Sequence, residues 1–284
     1  LMQEGLGAIL QRIMADEEIG GNIQTYTNRL NQIENMKAVD FHIEEVSGAD
    51  KSIDVVVDIF NKINSGGTKL SKGDLALAKV CGAWPEARDE LKARLEKWAD
   101  AGYDRFNLDW LLRCITTVLT GEAYYRELEH VSIAAFRNGL ERTERVIDTL
   151  LNTIASRLGL DFARVLGSRY AFPLMARYVS ERGMSLTDHR ERGTLLYWYV
   201  HTFLWGRYAG STESKLSQDL RAIEESEGAL ERLIRQLRQQ RGDLRLRPND
   251  FVGASRGARF YPMMYMLTRV WKALDWGSGV ELSN

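Results

Sequence analysis

Apolar positions recur every three to four residues along most of this chain, the spacing that lays a single apolar stripe along a helix. Residues 1–19 and 22–35 follow that period on either side of Gly20-Gly21. The stretch KAVDFHIEEV, Lys37 to Val46, breaks it. There Val39, Phe41 and Ile43 alternate with Asp40, His42 and Glu44, which predicts a strand. Helical spacing resumes behind Ser52 through Val55, Val56, Ile59, Phe60 and Ile63. The run Asn64-Ser65-Gly66-Gly67 supplies a reversal, and a second helix starts near Ser71. Asp74, three residues on, completes a capping box with Asp in place of the usual Glu or Gln.

From Cys81 onward every segment reads as helix. Pro85 sits where a first turn tolerates it, and ARDELKARLEKWADAG runs to a stop at Gly102. NLDWLLRCITTVLTG ends at Gly121, and a long amphipathic pattern extends from Ser132 to Gly159. Further helices are predicted near 168–182, 187–209, 213–226, 229–241 and 256–275. No fixed-period repeat or low-complexity linker divides the chain. The expected organisation is mainly α: a strand-containing part, residues 1–80, followed by an all-helical bundle domain, residues 81–284.

Composition changes this picture little. Of 284 residues, 44% are hydrophobic and 27% charged, values ordinary for a globular protein, and the formal net charge is −1. That balance gives no global sign of a nucleic-acid partner, so any such surface must be local. Cys81 and Cys114 both lie in apolar helical context and are expected as buried thiols rather than a disulfide or zinc site. The aromatic run TLLYWYVHTFLW from Thr194 is too short to span a bilayer and contains His201, so no membrane association is expected. No secretory leader is recognisable, which makes the cytoplasm the expected location. The chain opens and closes in mid-pattern, as an interior piece of a longer protein would.

Candidate chemistry is sparse. His42, His130, His189 and His201 are scattered without metal-ligand spacing; His201 is expected in the core and His189 in solvent near a helix start. Acidic pairs at Glu44 and Glu45, or at Asp54 and Asp58, have a solvated face as their simplest explanation. The DELK run from Asp89 lies inside an amphipathic helix, with no strand to present it as nucleases do. The aromatics Tyr197, Trp198, Tyr199, Phe203, Trp205 and Tyr208 read either as core packing or as a base-stacking pocket.

One charge pattern stands out. Arg232, Arg235, Arg238 and Arg241 recur every three residues along one helix, and Arg245, Arg247, Arg256 and Arg259 continue beyond it. Against these eight arginines, Arg232 to Arg259 contains only Asp243 and Asp250. The arginine fork suits phosphate, so Arg232, Arg235, Arg238, Arg241, Arg245 and Arg247 are DNA-binding candidates. The competing explanation is a solvated face paired with the acidic segment AIEESEGALE immediately upstream.

The NSGGTKLS turn also allows two readings. It is a connector whose glycines accept positive φ, or an anion nest built from the N–H groups of Gly66, Gly67 and Thr68 with Lys62 or Lys69 nearby. The stretch VVVDIFNKINSGGTKLSKGDLALA resembles the second signature of GmrSD-type modification-dependent restriction proteins, Phe-x-x-Ile-Asn-x-x-Gly-x-x-Leu-Ser. Phe60, Ile63, Asn64, Gly67, Leu70 and Ser71 match it, with Lys62 where that family often has Arg. GRYAGSTESKLSQDL, Gly206 to Leu220, is similar to an Arg-Tyr-Ser-Gly-Ser-x-Glu segment of the family's helical region. MLTRVWKALDWGSGVEL resembles the segment that precedes an HNH nuclease motif in many members. The family's Asp-Gly-Gln-Gln-Arg run and its His-His cluster are absent from this chain.

The resemblance implies that residues 1–80 are the C-terminal part of a ParB/sulfiredoxin-like α/β domain, with Lys62, Asn64 and Gly67 shaping a nucleotide or DNA site. It implies a parent endonuclease that cuts modified foreign DNA using an NTP and a divalent metal. This chain would bind DNA or couple domains, without catalysis, metal or cofactor of its own. The alternative is a non-enzymatic helical interaction or scaffold module.

Overall fold

A computed structural model describes residues 6–15, 22–40, 45, 55, 59, 62, 71–225, 227–252 and 259–282. The chain divides into two compact units, Leu1–Gly48 and Ala49–Asn284. The described residues are mainly helical and form no strand beyond an isolated bridge between Leu274 and Glu281.

In the first unit, α1 (Leu6–Met14) and α2 (Ile23–Asn35) are followed by a 3-10 turn, Met36–Ala38. The strand expected from Lys37 is therefore not formed at its start. The Met36 N–H continues the helical ladder onto Ile33 and Glu34, and Val39 N–H returns to the Met36 carbonyl. These local bonds consume the donors that strand pairing would need. Val39 is the first extended residue (φ −78°, ψ 115°), and most of the predicted strand beyond it lies outside the described residues.

In the second unit, Val55, Ile59 and Lys62 are helical, with Lys62 exposed. Asn64, Gly67 and the turn holding them lie outside the described residues. The predicted capping box is present. Asp74 N–H donates to Ser71 Oγ (3.0 Å) and Ser71 N–H to Asp74 Oδ2 (3.1 Å), opening α3 (Lys72–Ala83). The boundary expected near residue 80 falls within this helix.

Then follow α4 (Ala87–Asp100), α5 (Leu108–Thr120), α6 (Ile133–Leu158), α7 (Phe172–Ser180), α8 (His189–Leu204), α9 (Thr212–Ile223), α10 (Ala229–Arg241) and α11 (Tyr261–Val270). Their ends obey local chemistry. Asn107 and Ser132 accept from the third residue on, and Gly121 and Gly159 close α5 and α6 at φ +74° and +66°.

The last helix departs from expectation: it spans Tyr261–Val270 rather than reaching residue 275. Lys272 takes φ +50°, and the chain reverses so that Leu282 N–H bonds the Ala273 carbonyl. Asp275 sets this reversal by accepting from the N–H groups of Gly277 and Ser278.

Helix α5 is the axis of the bundle. Nine successive residues, Trp110 to Val118, are buried, including Thr116 and Thr117, whose hydroxyls donate to backbone carbonyls. It packs against α6 and α7, while α10 packs on α8 and α9. The aromatic run resolves as core: Trp198, Tyr199, Phe203, Trp205 and Tyr208 are buried, and Tyr197 alone of the six is exposed. Cys114 is buried and Cys81 half-buried, both as free thiols.

His201 is buried too, and Trp205 Nε1–H donates to its Nδ1 at 3.0 Å. Indole N–H can only donate, so Nδ1 must carry a lone pair. Burial accordingly lowers the His201 pKa. The unfolded chain then binds a proton that the folded chain resists, so stability is lost as pH falls through the ordinary histidine range. Thermal melts between neutral and mildly acidic pH are expected to show a drop that His201→Asn flattens. An equal drop in both proteins refutes this.

Candidate nucleic-acid interface

Helix α10 is built to show arginine to solvent. Leu230, Leu233 and Leu237 are buried at helical spacing, which turns the intervening positions outward. Gly228 at φ +68° makes the tight entry from α9 that sets the two helices side by side.

The six candidate arginines do not form one ridge. Arg232 is consumed at the end of α9, its Nε donating to the Ala222 carbonyl and Nη1 to the Glu227 carbonyl, both at 2.7 Å. Nη2 reaches the Glu225 carbonyl, and the Glu225 carboxylate lies 3.6 Å from Nη1. These bonds satisfy the Ala222 carbonyl in the last turn of α9 and two carbonyls just beyond its end. Arg241 sits 4.4 Å above the Trp205 ring and 3.4 Å from Asp250 Oδ1. Arg247 pairs with Asp243 at 3.6 Å, and Arg245 stands beside the same carboxylate. The Arg245 backbone N–H foremost, then both guanidinium charges, hold the Asp243 carboxyl below its usual range.

Arg235 and Arg238 remain. Both are exposed and have no ion pair or hydrogen bond among the described residues. Pairing with the upstream acidic segment, the simpler explanation of the ridge, therefore holds for Arg232 and not for these two.

Arg235 borders a groove of about 570 Å³ between α9 and α10. Arg221, on α9, lines it as well and is likewise exposed and unpaired among the described residues. Gln218, Gln236 and Gln239 contribute amides, Ser217 and Tyr124 hydroxyls, and among the described residues no carboxylate lines it. A second cavity of about 430 Å³ includes Arg105, Phe106, Arg169 and Tyr170. There Arg169 is already committed to the Arg105 carbonyl (3.0 Å) and the Tyr170 hydroxyl (3.2 Å).

Beneath the groove lies a buried ion pair, Arg207 with Asp219, both within the stretch Gly206 to Leu220 but not singled out there as partners. Arg207 and Asp219 side chains are 1% and 0% exposed. The fork is bidentate: Nε to Oδ2 at 3.0 Å and Nη2 to Oδ1 at 2.6 Å, with Tyr208 OH on Oδ2 at 2.9 Å. Burial pushes the Asp219 carboxyl up, and the bonds from Arg207 and Tyr208 oppose that shift. Nearby, Glu213 Oε1 accepts from Arg113 Nη1 at 3.2 Å. The segment GRYAGSTESKLSQDL thus uses Arg207, Tyr208, Glu213 and Asp219 to clamp α9 in place. One signal for the pair does exist in the sequence: Asp219 falls between Leu216, Leu220 and Ile223 on the buried face of α9, where a carboxylate needs a cationic partner.

Among the described residues no group of three or more His, Cys, Asp or Glu could hold a metal. No model of a known protein family matches this sequence, and a search of curated proteins returns no match. No helix among the described residues is long and apolar enough to cross a membrane.

Proposed function

We propose that this chain is the DNA-contacting helical region of a cytoplasmic, GmrSD-like, modification-dependent restriction protein that defends against foreign DNA. The observation that carries the DNA contact is the pair of exposed guanidinium groups Arg235 and Arg238, unengaged among the described residues and one helical turn apart on a single face of α10. The parentage rests on the ordered resemblances at Phe60–Ser71, Gly206–Leu220 and Met266–Leu282. On this reading residues 1–80 complete a ParB-like domain, and Lys62, Asn64 and Gly67 shape a nucleotide or DNA site there. Catalysis, with its NTP and divalent metal, belongs to the parent protein.

Titration with duplex DNA over a range of salt tests the contact. The paired substitution Arg235→Ala/Arg238→Ala is expected to weaken binding and to flatten the log–log salt slope by about 0.9 for each phosphate no longer neutralised. An unchanged slope sinks the proposal.

A specific observation favours the alternative of a non-enzymatic interaction module. Trp271 is 73% exposed and Trp276 fully so, with Val270, Leu274 and Val280 exposed beside them in sequence. Loss of self-association or of partner binding on Trp276→Ser, with no DNA binding by the unsubstituted chain, would support that reading.

A further inference from the structure

The groove between α9 and α10 presents hydrogen-bond donors, and the reason lies beneath it. Arginine carries donors only, so any group turned toward the Arg207 guanidinium must offer an acceptor. Three glutamines do so through Oε1: Gln240 at 2.9 Å from Nη1, and Gln218 and Gln236 at 3.1 Å from Nη2. Each amide is thereby oriented, oxygen inward and nitrogen away. Gln236 Nε2 spends its donor on the Gln218 carbonyl at 3.2 Å. Gln218 Nε2 has no acceptor among the described residues and belongs to a side chain that lines the groove and is exposed. Arg221 and Arg235 flank it with guanidinium groups unpaired among the described residues.

A separate observation points the same way. Ser217 lines the groove at 6% exposure, and its Oγ has no hydrogen-bond partner among the described residues. A buried hydroxyl left unbonded costs free energy, and an acceptor arriving in the groove would remove that cost.

We propose that this groove is a phosphate-binding site. Arg221, Arg235, Gln218 and Ser217 contact the oxyanion, and the buried Arg207–Asp219 pair acts as a positioning device that fixes the amide polarity. The site rests on the DNA-contact reading and deepens it, since Arg235 borders both, and it assigns the bound chemistry: tetrahedral phosphate oxygens from a nucleic-acid backbone or a free phosphate group. At about 570 Å³ the groove has room for a phosphate with its attached sugar and base.

The test uses thermal melts of the whole chain in inorganic phosphate against chloride at matched ionic strength. Phosphate is expected to raise the melting temperature of the unsubstituted chain in a saturable manner. Gln218→Glu keeps an oxygen toward Arg207 and replaces the outward donor with a carboxylate oxygen, so folding in chloride is retained. That variant and Arg221→Ala are each expected to weaken phosphate binding at least tenfold. An unsubstituted chain with no phosphate-specific shift overturns the site, and so does a shift undiminished in Gln218→Glu. Either failure leaves the DNA contact to be decided by the Arg235 and Arg238 salt slopes. Competition separates the two sources: phosphate displacing duplex DNA assigns the groove to backbone phosphate, and simultaneous binding of both assigns it to a free phosphate.

Discussion

Replacing Asp219 with alanine is expected to destabilise the protein by about 3–5 kcal/mol, as when one partner of a buried ion pair is removed. The magnitude follows from what stays behind. Arg207 is 2% exposed and cannot shed its proton, so without Asp219 its charge would be buried against three neutral amides and no carboxylate. Tyr208 OH would lose its acceptor as well. The bidentate fork and the phenolic bond end together, at the point where α9 is joined to the chain entering it. Denaturant midpoints with unchanged slope would report the loss. The paired change Arg207→Met/Asp219→Leu is expected to recover most of it, because an apolar pair of similar volume leaves no uncompensated charge. A loss below about 1 kcal/mol in Asp219→Ala would show that water reaches this pair.

Trp110→Ala should cost a comparable amount, about 3–5 kcal/mol, for a different reason. Trp110 is completely buried on α5 and stacks on Phe106 at 3.8 Å between centroids, with Trp98 and Phe172 meeting it edge-on at 5.8 and 5.9 Å. Its Nε1–H donates to the Arg169 carbonyl at 2.9 Å, tying α5 to the turn that starts α7. Truncation opens a large cavity at the bundle axis and orphans that carbonyl. Trp110→Phe separates the two contributions. It keeps most of the packing and is expected to lose about 1–2 kcal/mol through the unmade hydrogen bond. Equal losses in the two variants would mean that the cavity contributes little.

Much of the helical layout is readable from local signals. Ser71 with Asp74, Gly121 and Gly159 mark helix ends by chemistry confined to a few residues and act as expected, and the structure adds Asn107 and Ser132 as caps of the same local kind. Such signals fail where local patterns compete. The alternation after Lys37 is real in the sequence, yet helical hydrogen bonding from α2 runs on through Ala38. Apolar residues continuing past Val270 predict a longer last helix, whereas Asp275 turns the chain back by binding backbone N–H groups.

The candidate interface is only half legible in the sequence. Three-residue spacing identifies the arginines but does not say which are engaged, since Arg232 and Arg241 meet partners outside their own helix. Nothing in α9 alone marks Arg221 and Gln218 as facing α10.

The helices, their caps and their buried stripes depend on neighbours three or four residues away, and for that reason the order of residues suffices to dictate them. The arrangement of the groove between α9 and α10 has a different origin. Arg207 meets Gln236 across 29 residues and Gln240 across 33, and those distant contacts fix which amides face solvent. Donor direction is a property of packed side chains, and no periodicity along the chain encodes it.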